Sequence, residues 1–308
     1  MVLSSIFPVF ALIITGRILK RTDFINDNFL SISDKLIYYI FFPTMLFWKI
    51  GGSSNGNQFD LNILYASFAS IFFVFSISTL YIIFFKVKDY DAGSFSQSCF
   101  RFNTYIGFAV IINSLGEEGI RFFGIIISFS IPIINVLSVS LLSWFDRSSD
   151  SKLMFRKRAT SMMNSIVKNP LIIACICGLL FSSTGLTFPK YLNNFFQLIS
   201  TASLPLALIS IGGSFTIGKL KDYLNLSIVS SVFKLIIFPL SGFVFLSLFG
   251  VTGVAFKTSL IFFALPTATS IYVLSSQMNS NTDLASSSIV MSTALSFITL
   301  SAVMIYIS

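Results

Sequence analysis

The sequence contains no histidine, and its 12 acidic residues leave the middle of every apolar run without a carboxylate. Imidazole and carboxylate groups are the usual general acids and bases, and with cysteine they are the usual ligands of catalytic metals. The sequence therefore offers neither an intramembrane aspartyl dyad nor a carboxylate proton relay. We predict a protein that is not an enzyme, with no metal site and no cofactor.

Charge of either sign is also scarce. Charged residues make up 10% of the chain, whereas a soluble domain averages about 25%. Hydrophobic residues make up 55% and aromatic residues 16%, with a mean hydropathy of +0.87. A soluble fold of this size would expose too much apolar surface, so the composition predicts residence in a lipid bilayer. Cys99, Cys175 and Cys177 have neither disulfide nor metal spacing and are interpreted as apolar packing residues.

Apolar runs long enough to span a bilayer, roughly 20 residues each, recur along the chain. The ten predicted spans lie near residues 3–19, 35–51, 62–85, 96–115, 119–145, 168–184, 190–216, 224–249, 252–277 and 284–307. The net charge of +8 comes from basic residues in short intervals between these runs rather than on one face. We therefore expect no nucleic-acid partner, and the fold class is an all-α membrane protein.

Basic residues in the connections predict the orientation, because Lys and Arg accumulate on the cytoplasmic side. The clusters follow odd-numbered spans: Arg17, Lys20, Arg21 and Lys35; Lys86 and Lys88; the stretch 147–168; and Lys219 and Lys221. Both termini should then lie outside the cytoplasm in a multi-pass protein of the cell (inner) membrane. The first apolar run has no cleavage signal and is expected to stay as the first span.

A weak internal repeat divides the chain. Three pairs of residues are each 162 positions apart: Pro8 and Pro170, Gly16 and Gly178, and Pro43 and Pro205. The predicted units are a first five-helix repeat at 1–146, a basic cytoplasmic linker at 147–167 and a second repeat at 168–308. Five is an odd number, so the second copy would be inverted, as in many secondary transporters. Chance similarity between helices rich in Pro and Gly is the alternative.

The fourth span of each half contains helix-breaking and polar residues at matching depth. Pro266 removes a backbone donor from span nine, and Gly107 is expected to permit a comparable break in span four. The polar side chains beside these positions belong to Asn103, Thr104, Thr267, Thr269 and Ser270. They could satisfy the freed backbone groups, as in a simple proline kink, or they could hold a substrate. Half-helix N-termini would favour an anionic group.

Three further polar residues are candidate supports for this site. Lys234 is the deepest basic residue; it could pair with an anion, pair with freed carbonyl groups, or extend to the cytoplasmic interface. Arg101 could attract an anion, although anchoring at the membrane surface is favoured. Asn135 is polar within an apolar helix and is expected to brace the site across a helix contact.

Several motifs, taken in order, resemble those of the auxin efflux carrier family of permeases, which includes bacterial malonate and malate carriers and plant auxin exporters. They are FPVFALIITGR at 7–17, YIFFP at 39–43, NTYIGF at 103–108, GEEG at 116–119, KNP at 168–170, LPLAL at 204–208 with Gly212, and LPTA at 265–268. The resemblance covers essentially the whole chain. Many relatives have a proline where this chain has Ala109, which would make the first break less sharp.

The resemblance implies ten helices in two inverted repeats, similar to sodium/proton antiporters and bile-acid transporters, with interrupted helices four and nine crossing at the site. Carried over by position, the substrate-binding residues are Asn103, Thr104, Tyr105, Gly107, Pro266, Thr267, Thr269 and Ser270. The predicted function is transport of a small organic acid, a carboxylate, by alternating access. A sensor or interaction subunit that has lost transport is the alternative. Coupling to Na⁺ or the membrane potential, and a homodimer, are left open.

Overall fold

The computed structural model describes residues 2–52, 61–145, 168–215 and 220–308, and within these ranges the chain is helical with no β-strand. The helices are α1 (Val2–Arg21), α2 (Asp27–Leu36), α3 (Phe42–Gly51), α4 (Leu61–Phe84), α5 (Asp89–Phe100), α6 (Thr104–Phe145), α7 (Pro170–Ser183), α8 (Lys190–Gly213), α9 (Leu224–Val232), α10 (Phe238–Leu248), α11 (Gly253–Ala264), α12 (Ser270–Gln277) and α13 (Thr282–Ile307). Short π-helical segments, Ile37–Phe41 and Phe233–Ile237, join α2 to α3 and α9 to α10. The predicted linker at 147–167 lies outside the described residues.

Five helical stretches in the described ranges are long and apolar enough to cross a membrane. They are Leu61–Phe84, Asp89–Phe145, Lys190–Gly213, Leu224–Leu248 and Thr282–Ile307. Large apolar side chains such as Phe72, Ile83 and Leu240 are exposed on their outer faces, where a soluble protein would place polar groups. The predicted all-α membrane protein is confirmed at this level.

Asparagine side chains cap the starts of α2, α7 and α13. Asn26 accepts a hydrogen bond from the Phe29 N–H at 2.8 Å, and Asn169 accepts one from Leu171 N–H at 2.9 Å. Asn281 accepts from Leu284 N–H at 2.9 Å. Each side chain satisfies a backbone donor that the first helical turn leaves without a partner.

Two helices begin earlier than their predicted spans. The second span was expected to start at residue 35, but α2 begins at Asp27, and the fourth was expected at 96, but α5 begins at Asp89. Polar residues hid both starts from a search for apolar runs. In α5 the polar groups are satisfied within the protein, since buried Asp91 accepts a hydrogen bond from Asn281 Nδ2 at 2.6 Å.

Two glycines set the packing of α1 against α8. A Cβ atom added at Gly16 would overlap the backbone carbonyl oxygen of Ile209, and one added at Gly212 would overlap that of Ile13. Small residues allow helix backbones to approach closely in membranes. The contact continues beyond α8, where the Arg17 guanidinium donates to the Phe215 carbonyl at 2.8 Å.

The long helix α6 changes direction at Gly116. This residue has φ 65° and ψ −150°, outside the helical region, and a residue with a side chain adopts a positive φ at a cost. The kink separates a shorter segment, which begins at Thr104, from a longer one that ends at Phe145. The second part of the predicted fourth span, residues 104–115, and the predicted fifth span are therefore two helical segments that meet at this kink.

Candidate functional site

The two interrupted helices meet at their breaks. The first break, residues 101–103, separates α5 from α6, and the second, residues 265–269, separates α11 from α12. The Asn103 N–H donates to the Pro266 carbonyl oxygen at 2.9 Å, and the Thr267 hydroxyl donates to the Ser98 carbonyl oxygen at 2.7 Å. Each break thus satisfies polar backbone groups freed by the other, as buried irregular backbone requires.

The first break is not made by glycine, contrary to the prediction for Gly107. Gly107 is helical, and its N–H donates to the Asn103 carbonyl oxygen at 3.0 Å. An added Cβ would lie 2.5 Å from the Phe123 ring and 2.6 Å from Leu265 Cδ1. Gly107 is therefore needed for close packing against the second break, and the interruption falls at Arg101, which is extended with φ −71° and ψ 148°.

The second break exposes backbone groups that two side chains outside it satisfy. The Thr267 N–H donates to the Ser292 hydroxyl at 3.2 Å instead of continuing the helix. The Phe263 carbonyl, in the last turn of α11, accepts a hydrogen bond from the fully buried Lys234 Nζ at 3.0 Å. This amino group also lies 4.3 Å from the centroid of the Phe238 ring. Of the alternatives for Lys234, the observed contact is with a freed carbonyl.

Replacing Thr267 with valine should destabilise the crossing of the two breaks. Valine has nearly the same shape but cannot donate to the Ser98 carbonyl, which would be left buried with one partner fewer. Such a loss costs about 1–3 kcal/mol, and we expect a lower unfolding temperature for the purified variant in detergent. Thr267→Ser keeps the hydroxyl and serves as the control. Equal unfolding temperatures for the valine and serine variants would contradict this role.

Asn103 uses only half of its carboxamide to build the crossing. Its Oδ1 accepts hydrogen bonds from the N–H groups of Tyr105 at 3.1 Å and Ile106 at 3.2 Å, which caps α6. These contacts fix the orientation of the amide. Its Nδ2 has no hydrogen-bond partner within the described residues, although the side chain is almost fully buried. An unpaired buried donor is costly, and a ligand that accepted its hydrogen bond would remove that cost.

A cavity of about 1290 Å³ lies beside the crossing. Of the eight predicted substrate-binding residues, Asn103, Thr104, Tyr105, Thr269 and Ser270 line it, and so do the supporting residues Arg101 and Asn135. The cavity therefore brings together both breaks and the middle of α6. The other predicted residues, Gly107, Pro266, Thr267 and Lys234, are buried behind this wall and hold the two breaks in place.

Arg101 supplies positive charge at the cavity wall. Its guanidinium donates to Ser270 Oγ at 3.2 Å and, more weakly, to Gln97 Oε1 and Ser138 Oγ at 3.4 Å each. Ser270 opens α12, so the guanidinium lies beside the positive end of that short helix. The N-terminus of α6 faces the same cavity through Asn103 and Thr104. The arrangement can bind an anion by charge and by N–H donors.

One face of α2 also lines the cavity, and the sequence predictions missed it. Asp27, Ser31 and Asp34 are spaced by three or four residues, which is the spacing of one helix face. This periodicity was present in the sequence but lay in a stretch predicted to be a connection. Asp34 accepts a hydrogen bond from the Ser210 hydroxyl, which joins α2 to α8.

Comparison with known proteins identifies transport proteins. The sequence profile of a family described as membrane transport protein matches residues 1–304. An uncharacterized transporter of Methanocaldococcus jannaschii is 23% identical over 300 residues, covering 94% of each chain. The family match extends over the crossing and its cavity, as well as over the α1–α8 contact.

Proposed function

Because the chain belongs to the membrane transport protein family, the auxin efflux carrier family that its motifs indicated, we propose that it is a permease for a small organic anion, a carboxylate. The transported group would bind in the 1290 Å³ cavity beside the two breaks. A membrane transporter needs no covalent chemistry, which agrees with a sequence that lacks a catalytic constellation.

The Asn103 carboxamide carries this proposal. Its buried Nδ2 is a donor without a partner in the described part of the chain, and an anion beside it would satisfy that donor. The Arg101 guanidinium lines the same cavity and adds charge. A hydrogen bond between a neutral donor and a carboxylate contributes more than one between neutral groups. Beside the two breaks the cavity wall presents this amide donor and the Arg101 cation, which suit a small carboxylate, while Asp27, Asp34 and Lys35 also line the cavity.

We further propose that ten spans form two inverted halves around this cavity, with both termini outside the cytoplasm. The two breaks support a repeat, since Asn103 and Thr267 are 164 residues apart and their segments hydrogen-bond to each other's neighbours. The cavity is lined by Asp27 at the start of α2, the end that follows Arg17, Lys20 and Arg21. By the charge rule this end is cytoplasmic, so the conformation would be open to the inside.

Flux in proteoliposomes tests the transport proposal. The purified protein would be reconstituted and supplied with radiolabelled acetate, malonate, malate and benzoate under imposed Na⁺, pH and voltage gradients. We expect saturable uptake of at least one carboxylate, above that of protein-free vesicles and of vesicles containing an Asn103→Asp variant. Binding of a carboxylate without flux under any gradient would replace transport by the sensor function. The absence of both binding and flux would refute a carboxylate ligand.

A further inference from the structure

A second, smaller cavity of about 390 Å³ lies on the opposite side of the crossing. Both cavities contact α6, the large one at Thr104 and Tyr105 and the small one at Ala109 and Asn113. Both also contact α8, the large one at Ala207 and Ile211 and the small one at Pro205 and Leu208. The two cavities therefore follow one another along the same helices, as two halves of one path would.

Buried aromatic rings separate the two cavities. The ring of Phe42 contacts those of Tyr105 and Phe108, with centroid distances of 4.5 and 5.4 Å and nearly perpendicular planes. Phe42 and Phe108 are almost fully buried. The buried rings of Phe42 and Phe108 form an apolar barrier that blocks a carboxylate in the present conformation, because a desolvated anion is costly there.

An ion pair lies at the edge of the small cavity. Lys49, in the last turn of α3, donates from Nζ to Glu117 Oε1 at 2.6 Å, and Lys49 lines the cavity. The two side chains differ in exposure, with 15% of the Lys49 side chain and 65% of the Glu117 side chain accessible. Glu117 directly follows the Gly116 kink in α6. The pair therefore ties α3 to the bend of the helix that carries Asn103.

The difference in exposure between Lys49 and Glu117 decides which side chain can leave the ion pair. Glu117 can return to water at little cost because it is already mostly exposed, whereas Lys49 is largely shielded and needs an anion beside it. The Lys49 ammonium also lies 4.1 Å from the centroid of the Trp48 ring, which stabilises its charge in place. A carboxylate in the small cavity could replace Glu117 without leaving the ammonium unpaired.

We propose that the small cavity is the opposite-side binding site for the transported carboxylate, and that Glu117 occupies Lys49 until the substrate displaces it. This inference rests on the proposed transport function. Displacement would release α6 from α3 at the Gly116 kink. Binding from this side would then itself loosen the aromatic barrier between the two cavities. The sequence offered no sign of this, because Lys49 and Glu117 are 68 residues apart.

The tryptophans of the chain provide a direct assay. The chain has two, Trp48 beside Lys49 and Trp144 at the exposed end of α6. In a Trp144→Phe background of the full-length protein, Trp48 fluorescence in detergent reports on the small cavity. Titration with malonate should change the emission saturably, whereas chloride at equal ionic strength should not. An emission that malonate leaves unchanged would overturn the proposal.

Substitutions of the pair make the test specific. We expect Glu117→Gln to tighten the apparent malonate affinity at least fivefold, because the internal competitor is gone, and Lys49→Gln to weaken it at least tenfold. Lys49→Arg should restore most of the affinity, which separates charge from folding. Lys20→Gln is the control. It breaks the Lys20–Asp27 ion pair, which has the same 2.6 Å distance and lies at the C-terminal end of α1, and it should leave the titration unchanged.

The outcomes separate this inference from the transport proposal. The proposed displacement of Glu117 is wrong if Glu117→Gln binds malonate no more tightly than the parent protein, or if Lys49→Gln binds malonate as tightly as the parent. This holds even where proteoliposomes show carboxylate flux. If the Trp48 titration behaves as expected in a protein that moves no carboxylate, the transport proposal fails and the anion site at Lys49 stands.

Discussion

Replacing Asn103 with serine or aspartate is expected to reduce carboxylate transport by about 10-fold to 100-fold. Both replacements keep an oxygen that can accept from the N–H groups of Tyr105 and Ile106, so the cap of α6 survives. Both remove the buried Nδ2 donor of a residue that lines the cavity. A hydrogen bond to a charged group is worth about 1.5–3 kcal/mol, and each 1.4 kcal/mol is a factor of about ten.

The two replacements should differ in the direction that charge dictates. Serine only removes the donor, whereas aspartate adds a negative charge beside the proposed anion and should reduce transport further. The measurement is the initial rate of uptake at substrate concentrations below KM, where the rate reports kcat/KM. The amount of each variant in the proteoliposomes and its unfolding temperature should match those of the parent protein.

Asn103→Ala is a useful third variant because it removes both functions of the side chain. It should lose transport to the same extent as the serine variant and also lose about 1 kcal/mol of stability through the missing cap. Parental transport by the serine and aspartate variants would show that the Asn103 amide contacts no substrate, and would move the binding site along the cavity wall.

Replacing Gly212 with alanine is expected to have the largest effect on stability. The added Cβ would overlap the Ile13 carbonyl oxygen, and it would also lie 2.7 Å from the carbonyl carbon. Both atoms belong to backbone in the middle of α1, so neither can move without separating the two helices. Overpacking in a dense interior costs about 1–3 kcal/mol and occasionally more, and we expect the upper end here.

Thermal unfolding of the purified protein in detergent measures this effect. We expect the unfolding temperature of Gly212→Ala to fall by about 5 °C or more, with a lower yield of folded protein. Gly213→Ala is the matched control, because its nearest atoms are 2.8 and 3.1 Å away and belong to the Leu30 side chain, which can rotate. Equal unfolding temperatures for the two variants would show that α1 and α8 are not held at backbone contact.

The sequence located the second break more accurately than the first. Pro266 can be recognised by its chemistry alone, because a missing N–H and a ring clash interrupt a helix wherever they occur. The first break has no such residue. It forms because Asn103 caps the next helix and because Pro266 accepts the Asn103 N–H, and that acceptor comes from a segment more than 160 residues away. Gly107 was chosen as the breaking residue because it is the local candidate, but it serves packing.

The starts of α2 and α5 show a related limit. A search for apolar runs assumes that polar residues face water, so it placed both helices too late. Asp91 is buried and hydrogen-bonded to Asn281 from the start of α13, while Asp34 faces the cavity and accepts from Ser210 in α8. Their partners are distant in sequence, so only the folded chain reveals that these residues belong to helices at the site.

The sequence by itself determined that this chain is a helical membrane protein of a transport family, because composition, hydropathy and ordered motifs depend on local residues. It also identified the two interrupted segments, near Asn103 and near Pro266, that meet in the structure. Only the tertiary structure decided which residues face the cavity, that Lys234 binds a freed carbonyl and that Lys49 pairs with Glu117. It also decided that the Asn103 Nδ2 donor finds no partner among the residues that the structure describes. These features depend on contacts between distant helices, and such contacts exist only after the helices have packed.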